Sequence, residues 1–265
     1  MTDFESLTPL LNAKRFGLFC DFDGTLSPIV DQPEAAEITP KNKQRLIDLK
    51  DKTAVIAIIS GRAVADIAVR VGIDGLTYVG NHGLERWRDG KRAAAEAAQP
   101  YLDEISRAAE DVKARLLPGM QLEDKEVTLS IHYRQTAEPD EVREQFLPAA
   151  EEIARQHGLK LFEGRRIFEL RPPIALDKGS AFRALVREFR LDAAIFIGDD
   201  VTDTAAFQAA AELRWGGECQ AYSVGVVDRE TPQSVVELSD ISVSGVEGVS
   251  SLLSWLNEKL KASST

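Results

Sequence analysis

Four short apolar runs stop abruptly at polar clusters, and this recurrence limits the possible folds more than any other feature of the chain. Arg15 to Cys20 runs into Asp21, and Thr53 to Ile59 runs into Ser60-Gly61-Arg62. Leu76 to Val79 ends at Gly80-Asn81-His82-Gly83, and Ala193 to Ile197 ends at Gly198-Asp199-Asp200. Runs of this length, apolar at successive positions, read as strands buried on both faces. Helical stretches lie between them. Thr39 is a candidate N-cap with Pro40 in the first helical position of a segment reaching Lys50, and further helices are expected over Lys178 to Phe189 and Val201 to Leu213. Strands alternating with helices give a parallel sheet covered on both sides, with ligands bound beyond the carboxyl ends of its strands. All four polar clusters fall there. The expected class is α/β, a Rossmann-like doubly wound sheet.

The middle of the chain has another character. An Ala- and charge-rich helix is expected from Ala93 to Leu117, followed after Pro118-Gly119 by strands over Met120 to Glu123 and Val127 to Tyr133. A helix from Glu138 to His157 then leads to strands over Leu159 to Phe162 and Ile167 to Leu170, paired around Gly164. The order α-β-β-α-β-β describes an antiparallel α+β cap domain, 93–175, inserted into a core of 1–92 and 176–265. Beyond it, Tyr222 to Val227 reads as a strand, Pro232 to Leu238 as a short helix and Val246 to Leu260 as an amphipathic terminal helix.

Composition narrows the partners. A formal charge of −11 argues against nucleic acid, which is bound through Lys and Arg that neutralise phosphates. An anionic ligand would need a local positive pocket built from a few cations, helix N-termini and a metal. Cys20 and Cys219 are far apart and lack metal-ligand spacing, which fits a reducing compartment. Met1 to Lys14 has no signal-peptide pattern and no apolar stretch reaches membrane-spanning length, so a cytoplasmic protein without membrane partners is expected, as a monomer.

The polar clusters suggest chemistry. In Asp21-Phe22-Asp23-Gly24-Thr25-Leu26 the first carboxylate, at a strand end, can attack phosphorus while the second reaches the ester oxygen as acid and then base; the plain alternative is a solvated acidic turn. Ser60-Gly61-Arg62 is read as opening a helix, whose hydroxyl and N–H groups would face an anion, or else as an ordinary N-cap. Asp177-Lys178-Gly179 opens a helix with a cation suited to a phosphoryl group, or merely a surface lysine. In Gly198-Asp199-Asp200-Val201-Thr202-Asp203 three carboxylates crowd into five residues, which is costly unless a hard cation neutralises them; Mg2+ fits best because it keeps waters and bridges few carboxylates to phosphate.

Taken in order, these four clusters resemble the signatures of haloacid dehalogenase-like phosphatases. The resemblance implies Asp21 as the nucleophile that forms an aspartyl-phosphate, Asp23 as acid/base, and Ser60 and Lys178 on the phosphate. It implies Mg2+ held by Asp21, the Asp23 carbonyl and Asp199, with Asp200 and Asp203 in support. Glu123-Asp124-Lys125, His132-Tyr133-Arg134, Glu169-Leu170-Arg171-Pro172 and Gly80-Asn81-His82-Gly83 are similar, across nearly the whole chain, to the trehalose-6-phosphate phosphatase family.

That likeness implies that Glu123, Lys125 and Glu169 bind sugar hydroxyls, that Arg62 and Arg134 assist near the phosphate or the closed lid, and that His82, which alone would read as a structural histidine after a strand, borders the substrate with Gly83. Without it, the charged residues of the insertion would read as hairpin salt bridges. One departure is Thr204, where the family commonly has Glu. The expected reaction is hydrolysis of trehalose 6-phosphate. The alternatives are another phosphorylated sugar or glycosyl phosphoglycerate with the same core chemistry, and a non-catalytic sugar-phosphate sensor, against which the intact Asp23 speaks.

Overall fold

A computed structural model describes residues 4–260 apart from 31, 165 and 230. The chain divides into two compact units, one of residues 1–93 with 176–265 and one of residues 94–175.

In the first unit the chain order is β1 (Phe16–Cys20), α1 (Pro40–Leu49), β2 (Val55–Ile59), α2 (Val64–Val71), β3 (Thr77–Gly80), β4 (Glu85–Arg88) and β5 (Lys91–Ala94). The second unit holds α3 (Leu102–Arg115), β6 (Gln121–Asp124), β7 (Leu129–His132), α4 (Pro139–Gln156), β8 (Lys160–Gly164) and β9 (Ile167–Arg171). The first unit resumes with α5 (Lys178–Glu188), β10 (Ala193–Gly198), α6 (Thr204–Trp215), β11 (Gln220–Val227), α7 (Gln233–Leu238), β12 (Ile241–Ser244) and α8 (Gly245–Lys259).

The large sheet has the order β12-β11-β10-β1-β2-β3-β4-β5. From β12 to β3 every pairing is parallel, and β4 is antiparallel to β3. Alternation along each central strand sends side chains to opposite faces. Leu18, Cys20, Ile56, Ile58, Ile195 and Ile197 join the cluster that α1, α2 and α8 cover. Phe19, Ala57, Ile59, Ala194 and Phe196 join the cluster under α5 and α6. This two-sided burial is the doubly wound arrangement expected from uninterrupted apolar strands. Thr39 does cap α1, accepting from the Asn42 N–H, with Pro40 in the first turn.

Register decides where the strands end. Cys20 lies opposite Ile58 on one side and Ile197 on the other, so the chain leaves β1, β2 and β10 at one edge.

Two departures from expectation stand out. The helix expected from Ala93 begins only at Leu102, because Lys91–Ala94 is the outermost strand of the sheet and Glu96–Tyr101 is a 3-10 turn containing Pro100. Asp89 and Gly90, at φ 51° and 75°, make the left-handed two-residue connection that an Asp-Gly pair favours, and the hairpin overrides the helix preference of the following alanines. Also unanticipated is β12, a short strand of mixed polarity at the other edge.

In the second unit a four-stranded antiparallel sheet has the order β6-β7-β9-β8. Leu129, Ile131, Phe168 and Leu170 pack with Ile105, Ala108 and Val112 of α3 and Phe146, Ala150 and Ile153 of α4. The alternate residues of the same strands face away from these helices.

Candidate active site

At the edge where β1, β2 and β10 stop, Asp21, Ser60 and Asp199 are the residues that directly follow the three strands. The Asp21 N–H donates to the Ile197 carbonyl at 2.8 Å, which extends the parallel ladder by one residue and fixes where the Asp21 side chain starts. Only 4% of Asp21 is exposed, so its carboxylate is almost cut off from water. Carboxylate oxygens of Asp21, Asp199 and Asp203 all lie within 4.8 Å of one another.

Lys178 answers part of this charge. Its start-of-helix position is fixed by a reciprocal cap: the Asp177 carboxylate accepts from the Ser180 N–H at 2.7 Å, and the Ser180 hydroxyl accepts from the Asp177 N–H at 2.8 Å. The lysine is buried rather than a surface residue, with its ammonium 2.7 Å from Asp203 Oδ1 and 2.9 Å from Asp21 Oδ1. Burial alone would lower its pKa, but Asp203 and Asp21 together raise it, so it carries its charge. The contact with Asp21 falls outside hydrogen-bond angles and leaves that buried oxygen without an aligned donor.

Asp203 is the hub of the cluster. Oδ1 accepts from Lys178, and Oδ2 accepts from the backbone N–H groups of Asp199 and Asp200, each at 3.0 Å. Both of its oxygens are thereby engaged, whereas the Asp199 carboxylate accepts one hydrogen bond among the described residues, from the Thr25 hydroxyl to Oδ1 at 3.3 Å. Asp200 is exposed and lies outside the triad. Gly24 shows how closely the first loop approaches the fourth: its φ is 71°, and a Cβ there would stand 2.0 Å from Asp199 Oδ2.

Two buried carboxylates, the half-buried Asp199 and one lysine leave an excess of negative charge. Burial, followed by the repulsion of Asp203, pushes the Asp199 carboxyl up to about 7 despite Lys178. Burial likewise raises Asp21 well above the usual carboxylate range; Lys178 opposes this, and Asp203 and Asp199 add to it. A divalent cation fits this donor set, because hard oxygen ligands, an unsatisfied buried carboxylate oxygen and uncompensated charge are what it would relieve.

Asp23 and Arg62 form a separate pair. The guanidinium donates from Nε to Asp23 Oδ2 and from Nη2 to Oδ1, both at 2.7 Å, and from Nη1 to Asp66 at 3.0 Å. Arg62, expected near the phosphate or the closed lid, forks onto the second carboxylate of the first cluster.

Ser60 is buried, but it does not open α2, which begins at Val64 with Ala63 in the cap position. Its hydroxyl instead accepts from the Arg62 N–H at 3.2 Å. The Val64 N–H at the helix start is taken by Glu85 Oε1 at 2.7 Å, so this N–H group is already satisfied. Glu85, which the sequence reading passed over, is 1% exposed and also accepts from Asn81 and Arg92. It holds the turn at Asn81 and His82, where two successive residues have φ of 49° and 58°. The His82 ring packs where a side chain on Gly61 would stand, and the His82 backbone N–H donates to the Ser60 carbonyl at 3.0 Å. Gly83, at φ 113°, allows this turn to approach the Asp177 carbonyl: a Cβ there would stand 3.2 Å away.

In the second unit, Glu123 lies 3.0 Å from His132 Nε2 and 3.8 Å from the Lys125 ammonium. Ser130 donates to Glu169 at 3.4 Å, and Arg171 pairs with Glu169. Register places Glu123 opposite Ser130 and Ser130 opposite Glu169, so the two carboxylates share one face of the sheet. Arg134 is exposed and follows β7 rather than joining this row.

A model of the trehalose-phosphatase family matches residues 19–239. The chain is 38% identical over 243 residues to a trehalose-phosphate phosphatase of Mycobacterium marinum, covering 86% of this chain and 62% of that protein. It thus spans about three fifths of that relative's length. A crystal structure titled a trehalose-6-phosphate phosphatase related protein superposes with a TM-score of 0.74 at 26% identity, over 91% of this chain and 97% of that one. The C-terminal domain of the Candida albicans trehalose-6-phosphate phosphatase shares the fold, with a TM-score of 0.69 at 24% identity over 98% of this chain and all of that one. The family match spans most of the chain, from the strand before Asp21 to beyond Asp203, and on it the chain belongs to the trehalose-phosphatase family.

Proposed function

We propose that this chain hydrolyses trehalose 6-phosphate to trehalose and phosphate, with Mg2+, through a phosphoryl group carried on Asp21. The observation that carries the reading is the buried Asp21 carboxylate at the end of β1, beside Lys178 and within reach of Asp199 and Asp203. The names of the family and of its relatives support the substrate.

In the first half-reaction an Asp21 oxygen bonds to phosphorus as the bond to the sugar oxygen breaks, and Asp23 gives its proton to that leaving oxygen. In the second, Asp23 takes a proton from water as the water attacks phosphorus, the bond to Asp21 breaks and phosphate leaves. Arg62 occupies both Asp23 oxygens, so one of them has to be released for this work; Asp66 already holds the third guanidinium nitrogen and can retain the arginine. Lys178 offsets the charge of Asp21 and, with Ser60, holds the phosphoryl oxygens.

Asp21, Asp199 and the Asp23 carbonyl would hold Mg2+, with Asp203 orienting the loop from behind through its three accepted hydrogen bonds and Asp200 at its rim. When bound, the ion neutralises the crowded carboxylates and stabilises charge on the phosphoryl oxygens. Glu123, Lys125 and Glu169 would grip sugar hydroxyls, with Arg134, His82 and Gly83 bordering the substrate. The setting is the cytoplasm and the working form a monomer.

A phosphate-release assay over a sugar-phosphate panel, with Mg2+ or a chelator, tests this. Trehalose 6-phosphate should exceed sucrose and glucosyl-glycerate phosphates in kcat/KM by roughly tenfold or more, and only with Mg2+. Equal turnover of the three would overturn the substrate, and metal-independent turnover the mechanism.

A further inference from the structure

Along β8 one residue breaks the chemistry of its face. Phe162 is 44% exposed and is the one exposed large hydrophobic side chain among the described residues of the 94–175 unit. Single exposed apolar residues are ordinary on protein surfaces. An aromatic on an edge strand, however, adds to the hazard of pairing with another chain, and the position of this one is specific.

The register runs Glu123 to Ser130, Ser130 to Glu169 and Glu169 to Phe162, so the four residues make one continuous row across β6, β7, β9 and β8. With strands about 4.8 Å apart the row is roughly 14 Å long, enough to underlie two linked pyranose rings. Leu122, Ile131 and Phe168 at the adjacent positions point to the opposite face, where the two buried ones join the helix-covered core. The row thus belongs to the face away from the helices. Arg171 pairs with Glu169 and sets its guanidinium over the Phe162 ring, 4.9 Å from the centroid. The aromatic is thereby tied to the carboxylate beside it.

We propose that Phe162 is a specificity-determining residue, the apolar platform on which one pyranose ring of the disaccharide stacks while Glu169 accepts from that ring's hydroxyls and Glu123, at the far end of the row, from those of the other ring. This rests on the sugar-phosphate reading given above. A pyranose presents hydroxyls around its edge and C–H groups on its faces, so recognition needs acceptors and an apolar plane together. Carboxylates alone would bind any polyol; the plane selects a ring.

The test uses the intact protein with Mg2+ and two substrates, trehalose 6-phosphate and p-nitrophenyl phosphate, which has no sugar. Phe162→Ala should raise KM for trehalose 6-phosphate roughly tenfold, the effect of losing some tens of Å2 of apolar contact, with kcat kept within about twofold. Its kcat/KM for p-nitrophenyl phosphate and its Tm should match the parent, because the side chain is half exposed. Phe162→Trp should restore the lower KM. An unchanged KM for trehalose 6-phosphate in Phe162→Ala, or equal losses on both substrates, would overturn the inference while leaving the reaction in place. A parent protein inert toward trehalose 6-phosphate yet active on p-nitrophenyl phosphate would overturn the substrate reading, and the inference with it.

Discussion

Asp203 accepts three hydrogen bonds with a fully buried carboxylate, and the cluster around it shows what one side chain can organise. Replacing it with Ala would strand the buried Lys178 ammonium beside Asp21 alone and orphan two backbone N–H groups. A loss of about 3–5 kcal/mol is expected in urea unfolding. The raised carboxyls give a pH dependence of definite sign. Asp199 moves from 3.8 to about 7 on folding, so the folded state holds its proton more tightly. The stability this contributes is complete below the unfolded value and is lost as pH rises through the folded one. Asp21 is displaced in the same direction. The Tm of the metal-free protein should therefore fall between about pH 4 and about pH 7, the unfolded and folded values of Asp199, and saturating Mg2+ should suppress the fall, as thermal scans with and without chelator would show. Asp203 was legible in the sequence as part of an acidic cluster, but its role as hub was not. That role depends on Lys178 arriving from another segment and on a loop that turns two N–H groups inward.

At the scale of elements, the parallel strands and their polar ends could be read directly, because a strand buried on both faces must be apolar at every position. The hairpin of β4 and β5 could not, although Asp89-Gly90 is a strong turn pair, since alanines and charges beyond it favour a helix when taken alone. Ser60 teaches the same lesson about distance: the donor at the start of α2 is satisfied by Glu85, 21 residues further on, so no local pattern announces it. Glu85→Ala should leave the Val64 N–H, Asn81 and Arg92 without their shared acceptor and release the left-handed turn at Asn81 and His82. We expect a loss of about 3 kcal/mol or more in chemical denaturation, with Glu85→Gln recovering part of it by keeping one acceptor oxygen. A gain in stability for Glu85→Ala would show that the turn holds itself.

For the whole molecule, the proposed function assigns the phosphate chemistry to the sheet edge after β1, β2 and β10 and the sugar contacts to the polar row of the antiparallel sheet. Glu123→Ala should accordingly raise KM for trehalose 6-phosphate by roughly tenfold and leave p-nitrophenyl phosphate turnover unaffected, as steady-state kinetics on the two substrates would reveal. Both the insertion and the four clusters were readable from the sequence, since chain order survives folding. The pairing of Arg62 with Asp23 was not, because it joins residues 39 apart whose proximity follows from β1 and β2 lying side by side. The proposed mechanism turns on Asp21 as the residue that receives the phosphoryl group. Enzyme quenched during turnover of trehalose 6-phosphate, reduced with borohydride and mapped by mass spectrometry, should carry homoserine at position 21 in place of Asp21. Modification at another residue, or a rapid burst of phosphate with no trapped adduct, would contradict the account.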